Sequence, residues 1–284
     1  MHGVWSVVPT GDIDGVAREA AGCDGILALG GGSAIDLGKA VSARTGLPLV
    51  CVPTTYSGAE WTRFFGVRDE GRRIRGGGSG SHNAGIVYDV GLTLGLPAAE
   101  SGGTALNALD HCAEALYVQG RDPDGDAFAL RGAGLISAWL PRVLEQTQDL
   151  DARTHLLEGA ANAGEALGRS GLALAHAMAQ AVGGRYGLPH GAMNALCLPP
   201  VLRFNEPVAG DAIERFAAAM GAADAAERAE ELARLGGFHR LRDFGVPQDD
   251  LPALGETAAQ RAGALANPRP ASADEVTELY RSIW

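Results

Sequence analysis

The apolar pattern of this 284-residue chain changes character once, at Leu94-Gly-Leu-Pro97, and that change limits the architectures open to it. Ahead of it, short β-branched runs alternate with glycine-rich turns and helical stretches, the signature of an α/β layer. Gly25-Ile-Leu-Ala-Leu-Gly30 reads as a buried parallel strand, Leu47-Pro-Leu-Val-Cys-Val-Pro53 as the next and Gly85-Ile-Val-Tyr-Asp89 as a third, with a helix from Ser33 to Arg44 between the first two. Beyond it, alanine- and leucine-rich stretches with helical spacing run to the end without a strand pattern. Helices are expected over 101–119, 127–146, 151–166, 171–182, 211–220 and 225–235, the last N-capped by Asp224, with a terminal helix from about residue 273. The pattern predicts an α/β domain over residues 1–95 and an all-helical domain over 96–284, and ligands favour the cleft between two such units.

A net charge of -11 argues against a general nucleic-acid or anionic-membrane surface, because those partners require clustered Lys and Arg. One local exception runs from Arg68 to Arg75, where four arginines fall within eight residues. It reads either as a solvated loop or as a clamp for an anionic cofactor or substrate. The Gly76-Gly-Gly-Ser-Gly-Ser81 segment that follows is low in complexity and is expected to be mobile. Cys23, Cys51, Cys112 and Cys197 are scattered without a CxxC pair, which predicts reduced, buried thiols. No leader pattern precedes the first strand, so a cytoplasmic location is expected.

Gly30-Gly-Gly-Ser33 lies between a predicted strand and a predicted helix. Glycines let backbone approach a phosphate, and a helix N-terminus offers unpaired N–H groups and the positive end of its dipole. Ser33 and Asp36 also fit a capping box that simply starts the helix. Asn107 and His111 lie four apart and share one helix face, with Glu114 near the same stripe. His176 falls on a later helix, and His190 follows a Gly-Gly turn. Spacing alone does not unite these histidines.

Taken together, the motifs resemble the iron-containing alcohol dehydrogenase family and, within it, the maleylacetate reductase branch. Gly30-Gly-Gly-Ser-Ala-Ile-Asp-Leu-Gly-Lys39 resembles the family's phosphate loop, and Pro53-Thr-Thr-Tyr-Ser-Gly-Ala-Glu-Trp-Thr62 its nicotinamide-side loop. The segments from Leu106 to Tyr117, His176 to Gln180 and Gly187 to Asn194 are similar to its three metal-ligand segments, and Asn267-Pro-Arg-Pro270 fits the reductase branch. The resemblance implies a Rossmann-like α/β nucleotide-binding domain followed by an all-α metal-binding domain. It implies hydride transfer between NAD(P)H and a small carbonyl, or the reverse from an alcohol. A divalent metal, Fe²⁺ or Zn²⁺, would rest on Asn107, His111, His176 and His190. Gly31, Gly32, Ser33 and Asp36 would serve the pyrophosphate, Thr54 and Thr55 the nicotinamide half, and Arg73 would stand near the cofactor. A homodimer acting on a small-molecule substrate is the family expectation.

The chain departs from the family pattern at three places. Asn107 replaces the usual aspartate ligand, as the reductase branch also does, and Asp110, one turn on, reads either as a plain helix-surface residue or as a source of the lost charge. Gln180 stands where a further histidine is common near the substrate and cannot titrate near neutral pH, so either another group, Tyr56 or a metal-bound water, does the work or catalysis is weak; Tyr56, Gln180 and His111 are the catalytic candidates. Relatives also carry a strand–helix–strand ahead of the point where Met1 falls, which implies an N-terminally shortened sheet with an open edge. Arg63 and Arg73 are candidates to receive a substrate carboxylate or a cofactor phosphate. The reading is therefore a maleylacetate reductase-like oxidoreductase. Its alternatives are a catalytically impaired homologue acting as a binding or structural partner, and a specialised dehydrogenase oxidising a β-hydroxy group.

Overall fold

The computed structural model describes residues 3–8, 10–68 and 74–284. Helix α1 (Ile13–Glu19) leads into strand β1 (Ile26–Gly30), helix α2 (Gly32–Thr45) and strand β2 (Leu49–Pro53). An antiparallel hairpin, β3 (Phe64–Arg68) and β4 (Ile74–Ser79), precedes strand β5 (Asn83–Ile86). Strands β1, β2 and β5 form one parallel sheet in that order, with Ile26 opposite Leu49 and Gly30 opposite Pro53. α2 is the crossover, and it covers one sheet face, where Ala28, Ile35, Leu49 and Cys51 are buried together. Gly38 makes this contact close: a Cβ there would lie 2.8 Å from that of Ala28. The opposite face is open, and Leu27 and Leu29 on β1 are 58% and 56% exposed.

Two expectations for this part need correction. α2 starts at Gly32 with Gly31 as its N-cap, so Ser33 sits in the first turn and forms no capping box with Asp36. Asp36 instead pairs with Lys39 at 2.8 Å and accepts a hydrogen bond from the Gly66 backbone N–H at 3.1 Å, which ties the hairpin to α2. The glycine run from Gly76 is also no loose loop: most of it is strand β4. A Cβ on Gly77 would lie 2.7 Å from the Phe65 carbonyl oxygen, and one on Gly78 would meet the Phe65 ring at 2.9 Å. At Gly77 the contact is with backbone, so a side chain there would force the strands apart. Much of the arginine cluster, Arg72 and Arg73 included, lies outside the described residues.

The rest is helical: α3 (Ala98–Tyr117), α4 (Asp126–Glu145), α5 (Leu150–Ser170), α6 (Leu174–Tyr186), α7 (His190–Ala219), α8 (Ala225–Leu235), α9 (Leu251–Ala259), α10 (Ala262–Leu265) and α11 (Ala273–Ser282). α3 is the hub and is buried along almost its whole length, packed by α4, α5 and α7. Asp224 caps α8 as expected, accepting from the Glu227 N–H at 2.8 Å. α7 was legible only in its last third, because Pro199, Pro200 and Pro207 interrupt the helical signal yet lie within the helix. Its one departure from helical geometry falls at Ala209. Gly183 and Gly184 belong to α6 rather than to a turn, and the chain reverses at Gly187 with φ of +70°. A second and much larger hydrophobic core fills the space around α3, separate from the small one under the sheet.

Candidate active site

The histidine cluster begins on α3, where Asn107, His111 and Glu114 recur at helical spacing and face inward together. Asp110 is fully buried beside them, which corrects its reading as a surface residue. Glu114 builds the next layer. Its carboxylate accepts the backbone N–H groups of Ala173 at 2.6 Å, Ala175 at 2.8 Å and His176 at 3.2 Å, so a side chain of α3 caps the N-terminus of α6. The same carboxylate lies 2.8 Å from His176 Nδ1, and Asp110 lies 3.1 Å from that nitrogen. With Nδ1 turned to the carboxylates, Nε2 of His176 faces the cleft.

α7 contributes the third histidine through close backbone contact. A Cβ on Gly191 would lie 2.2 Å from the Gly103 carbonyl oxygen, so glycine at that position lets the start of α7 rest on α3. His190 opens α7, and Asn194 follows one turn later. The Asn194 amide nitrogen lies 3.2 Å from both His176 Nε2 and His190 Nε2, and it also hydrogen-bonds Asn107 Oδ1. The His111 and His176 rings stack at 4.7 Å, and those of His176 and His190 lie 5.8 Å apart. Asn107, His111, His176 and His190 are thus brought together. Asn194 escaped the sequence reading, although its place four residues after His190 was the available signal.

Burial sets the charge states. It pushes His111 well below the ordinary imidazole value, helped by the neighbouring His176 and His190. Burial also opposes the imidazolium of His176, but Asp110 and Glu114 outweigh it and raise that group. Asp110 is raised by its own burial.

The donor chemistry fits a divalent metal. His176 Nε2, His190 Nε2 and Asn107 Oδ1 converge on one point, all within 3.2 Å of the Asn194 amide nitrogen, which donates to Asn107 Oδ1. Imidazole donors suit Zn²⁺ and Fe²⁺, and a carboxylate behind His176 is the arrangement that orients a ligating histidine. Asp110, Glu114 and His176 also hold ligand-type atoms within 4.8 Å of one another. Both Glu114 oxygens already accept N–H groups, so we read that buried trio as the support of His176.

A cleft of about 820 Å³ joins this cluster to the glycine loop. Gly31, Gly32, Ser33, Asp36 and Thr55 line it on the α/β side, and Asn107, His111, His176, Gln180 and His190 on the helical side. Thr54 is not among the lining residues; its backbone N–H donates to the Gly30 carbonyl at 3.0 Å. Tyr56 is placed away from the chemistry: it is fully buried, and its hydroxyl accepts from Arg153 Nη1 at 2.9 Å in the interior of the helical part. Arg63 donates to the Ser81 carbonyl and does not line the cleft. Arg73 lies outside the described residues. Arg261, which the sequence reading passed over, lines the cleft beside Gln180.

Comparison with known proteins agrees with this arrangement. The C-terminal model of the Fe-containing alcohol dehydrogenase family matches residues 102–284, and the iron-containing alcohol dehydrogenase model matches residues 8–83. The chain belongs to the iron-containing alcohol dehydrogenase family. It is similar to the maleylacetate reductase of Burkholderia cepacia, 35% identical over 276 residues that cover 95% of this chain and 78% of that protein. The maleylacetate reductase of Rhizobium sp. strain MTP-10005 is 36% identical over 94% of this chain and 76% of its own length. The crystal structure of the Rhizobium protein superposes with a TM-score of 0.87 at 32% identity, covering 96% of this chain and 78% of that one. As a member of this family the chain is an oxidoreductase, and membership implies a nicotinamide cofactor and a divalent metal. Among the described residues, no helix is long and apolar enough to cross a membrane.

Proposed function

We propose that this protein is an NAD(P)-dependent, metal-assisted reductase or dehydrogenase of small carbonyl compounds and hydroxy acids, close in activity to maleylacetate reductases. The observation that carries the reading is the continuity of the cleft, whose walls include both the glycine loop at the start of α2 and the three histidines. The division of labour follows the two parts, residues 1–95 for the cofactor and 96–284 for metal and substrate. Gly31, Gly32 and Ser33 offer backbone N–H groups and a helix N-terminus to the pyrophosphate. Thr55 lines the nicotinamide half, with Thr54 held to β1 behind it, and Asp36 braces the loop through Lys39.

His111, His176 and His190, with Asn107, would hold the divalent ion, which when bound supplies Lewis-acid stabilisation of charge on the substrate oxygen. The protein's own residues do the rest. Glu114 fixes the tautomer and orientation of His176 by accepting at Nδ1. Tyr56 takes no part in proton transfer, since its hydroxyl faces Arg153, and Gln180 cannot titrate. Burial disfavours the charged form of His111, which suits an imidazole that ligates a metal. We place the protein in the cytoplasm as a homodimer; its free cysteines, three of them buried, are consistent with that compartment.

Titration of the purified protein with NADH and NADPH, with and without Zn²⁺ or Fe²⁺, tests the reading. Cofactor binding, and cofactor oxidation that requires the metal, are expected. Failure to bind either nucleotide would sink it in favour of a non-catalytic binding partner.

A further inference from the structure

Arg261 is a cation without a counter-ion. Among the described residues no carboxylate comes within ion-pair distance of it, although it is half-buried in the cleft wall. Its Nη1 donates to Gln180 Oε1 at 3.2 Å and its Nη2 to the Gln180 carbonyl at 3.4 Å, while its buried Nε has no hydrogen-bond partner. Withdrawing a guanidinium from water without pairing it is costly, so an arrangement that does so beside a ligand cleft needs a compensating ligand.

The position is built. Arg261 immediately precedes α10, and Gly263 within α10 presses on the residue that starts the His176 helix: a Cβ there would lie 2.5 Å from the Ala173 carbonyl oxygen. The far end of the segment is clasped by the Asn267-Pro-Arg-Pro270 motif. Asn205 and Asn267 exchange reciprocal side-chain hydrogen bonds of 2.9 and 2.7 Å, both buried, and Gln119 donates to the Asn267 carbonyl at 2.9 Å. Gln180 is one turn, about 6 Å along the axis, beyond His176 on α6, and the guanidinium is bonded to it on the same cleft wall as the histidines. The glycine loop on the opposite wall already offers the cofactor's phosphates their donors.

We propose that Arg261 receives a carboxylate of the substrate, and that Gln180 is its positioning residue, so that the cleft selects carbonyl compounds bearing a carboxylate a few bonds from the reacting carbon. The planar fork of an arginine matches a carboxylate with two parallel hydrogen bonds, and Gln180, neutral where the family often has a histidine, leaves that charge unopposed. This inference rests on the oxidoreductase reading of the same cleft.

The test is calorimetric binding of succinate and of its neutral isostere succinamide, to wild type and to Arg261→Gln, Arg261→Lys and Gln180→Glu. Wild type should bind succinate more tightly than succinamide by roughly 10- to 100-fold. Arg261→Gln should remove that gap and Arg261→Lys should restore part of it. Gln180→Glu should abolish succinate binding by supplying the missing counter-ion. In turnover, Arg261→Gln should raise KM for a carboxylate-bearing carbonyl far more than for its amide, with kcat changed less. Equal affinities for succinate and succinamide in wild type, or no succinate binding, overturns the proposal, as does an Arg261→Gln variant that keeps the gap. Loss of NADH binding by wild type would instead strike the oxidoreductase reading and leave the succinate comparison standing.

Discussion

The two halves of the molecule solve the same problem with very different margins. Around α3 a large continuous core surrounds a spine of buried polar residues, and Asn107, Asp110, Glu114, His176 and Asn194 are each held in place by packed helices. Under the parallel sheet, among the described residues, only Ala28, Ile35, Leu49 and Cys51 are buried together, and the second sheet face carries exposed leucines. Polar site residues withdrawn from water need a rigid surround to repay their desolvation, and the helical part supplies it. The α/β part presents mainly backbone to its ligand, which asks for a correct loop more than for a deep core. The difference predicts that the site's two ends respond differently to damage.

The largest effect should come from Glu114→Ala. It removes the carboxylate that caps α6 and that holds His176 Nδ1, at a fully buried position. A cost of about 3–5 kcal/mol is expected, measured by denaturant unfolding, together with loss of metal binding. If the variant unfolds like wild type, the spine is not what holds the helical half together. Leu109→Ala, also fully buried on α3, should cost about 2–5 kcal/mol. Leu29→Ala, on the open sheet face, should stay within about 0.5 kcal/mol. Similar costs for the two leucines would mean that the exposed face is covered in solution.

A smaller and more local effect is expected in the α/β half. Lys39 is 1% exposed, and its Nζ reaches Asp36, the carbonyls of Ala59 and Phe64, and the Thr62 hydroxyl, all within 3.0 Å. Among the described residues it is the single cation that joins α2 to the loop before β3 and to β3 itself. Lys39→Met should cost about 1–3 kcal/mol, discounted because Asp36 is partly in solvent. Its signature should be faster proteolysis within residues 59–79 and weaker NADH binding, with metal affinity intact. Equal weakening of metal and NADH binding would contradict the separation of the two ends.

The same contrast explains what was legible in the sequence. Strands β1 and β2 and helices such as α4 and α8 carry their periodicity locally, so their residues could be read without the fold. α7 could not, because three prolines sit in a helix whose packing tolerates them. The β3–β4 hairpin could not, because Gly77 and Gly78 lie close against Phe65 yet look identical to a flexible linker in sequence. Within the site, the convergence of His111, His176 and His190 was legible only through ordered family motifs. Asn194, Arg261 and the inward turn of Asp110 depend on which helix faces which, and Tyr56 went astray for the same reason. Its neighbours in sequence line the cleft, while the pull of Arg153, 97 positions later, takes its hydroxyl elsewhere.

The smallest predicted effect concerns Glu60, the buried acid of the α/β half. It is 1% exposed; Oε1 accepts from the Tyr88 hydroxyl at 2.7 Å, whereas Oε2 is buried and has no hydrogen-bond partner among the described residues. Burial raises its carboxyl above the ordinary value, and the backbone, Tyr88 and Lys39 pull it back only in part. A folded carboxyl that holds its proton more tightly than the unfolded one stabilises the fold at low pH. That contribution is complete below the unfolded value and is lost as pH rises through the folded one. Glu60→Gln keeps a similar shape without a titrating group, so its melting temperature relative to wild type should rise from acid to neutral pH and then level off. A gap that is constant with pH would show that Lys39 and Tyr88 fully compensate the burial. A gap that moves in wild type's favour as pH rises would mean that the charged carboxylate is an asset, and that the thin core under the sheet is braced by an ion pair after all.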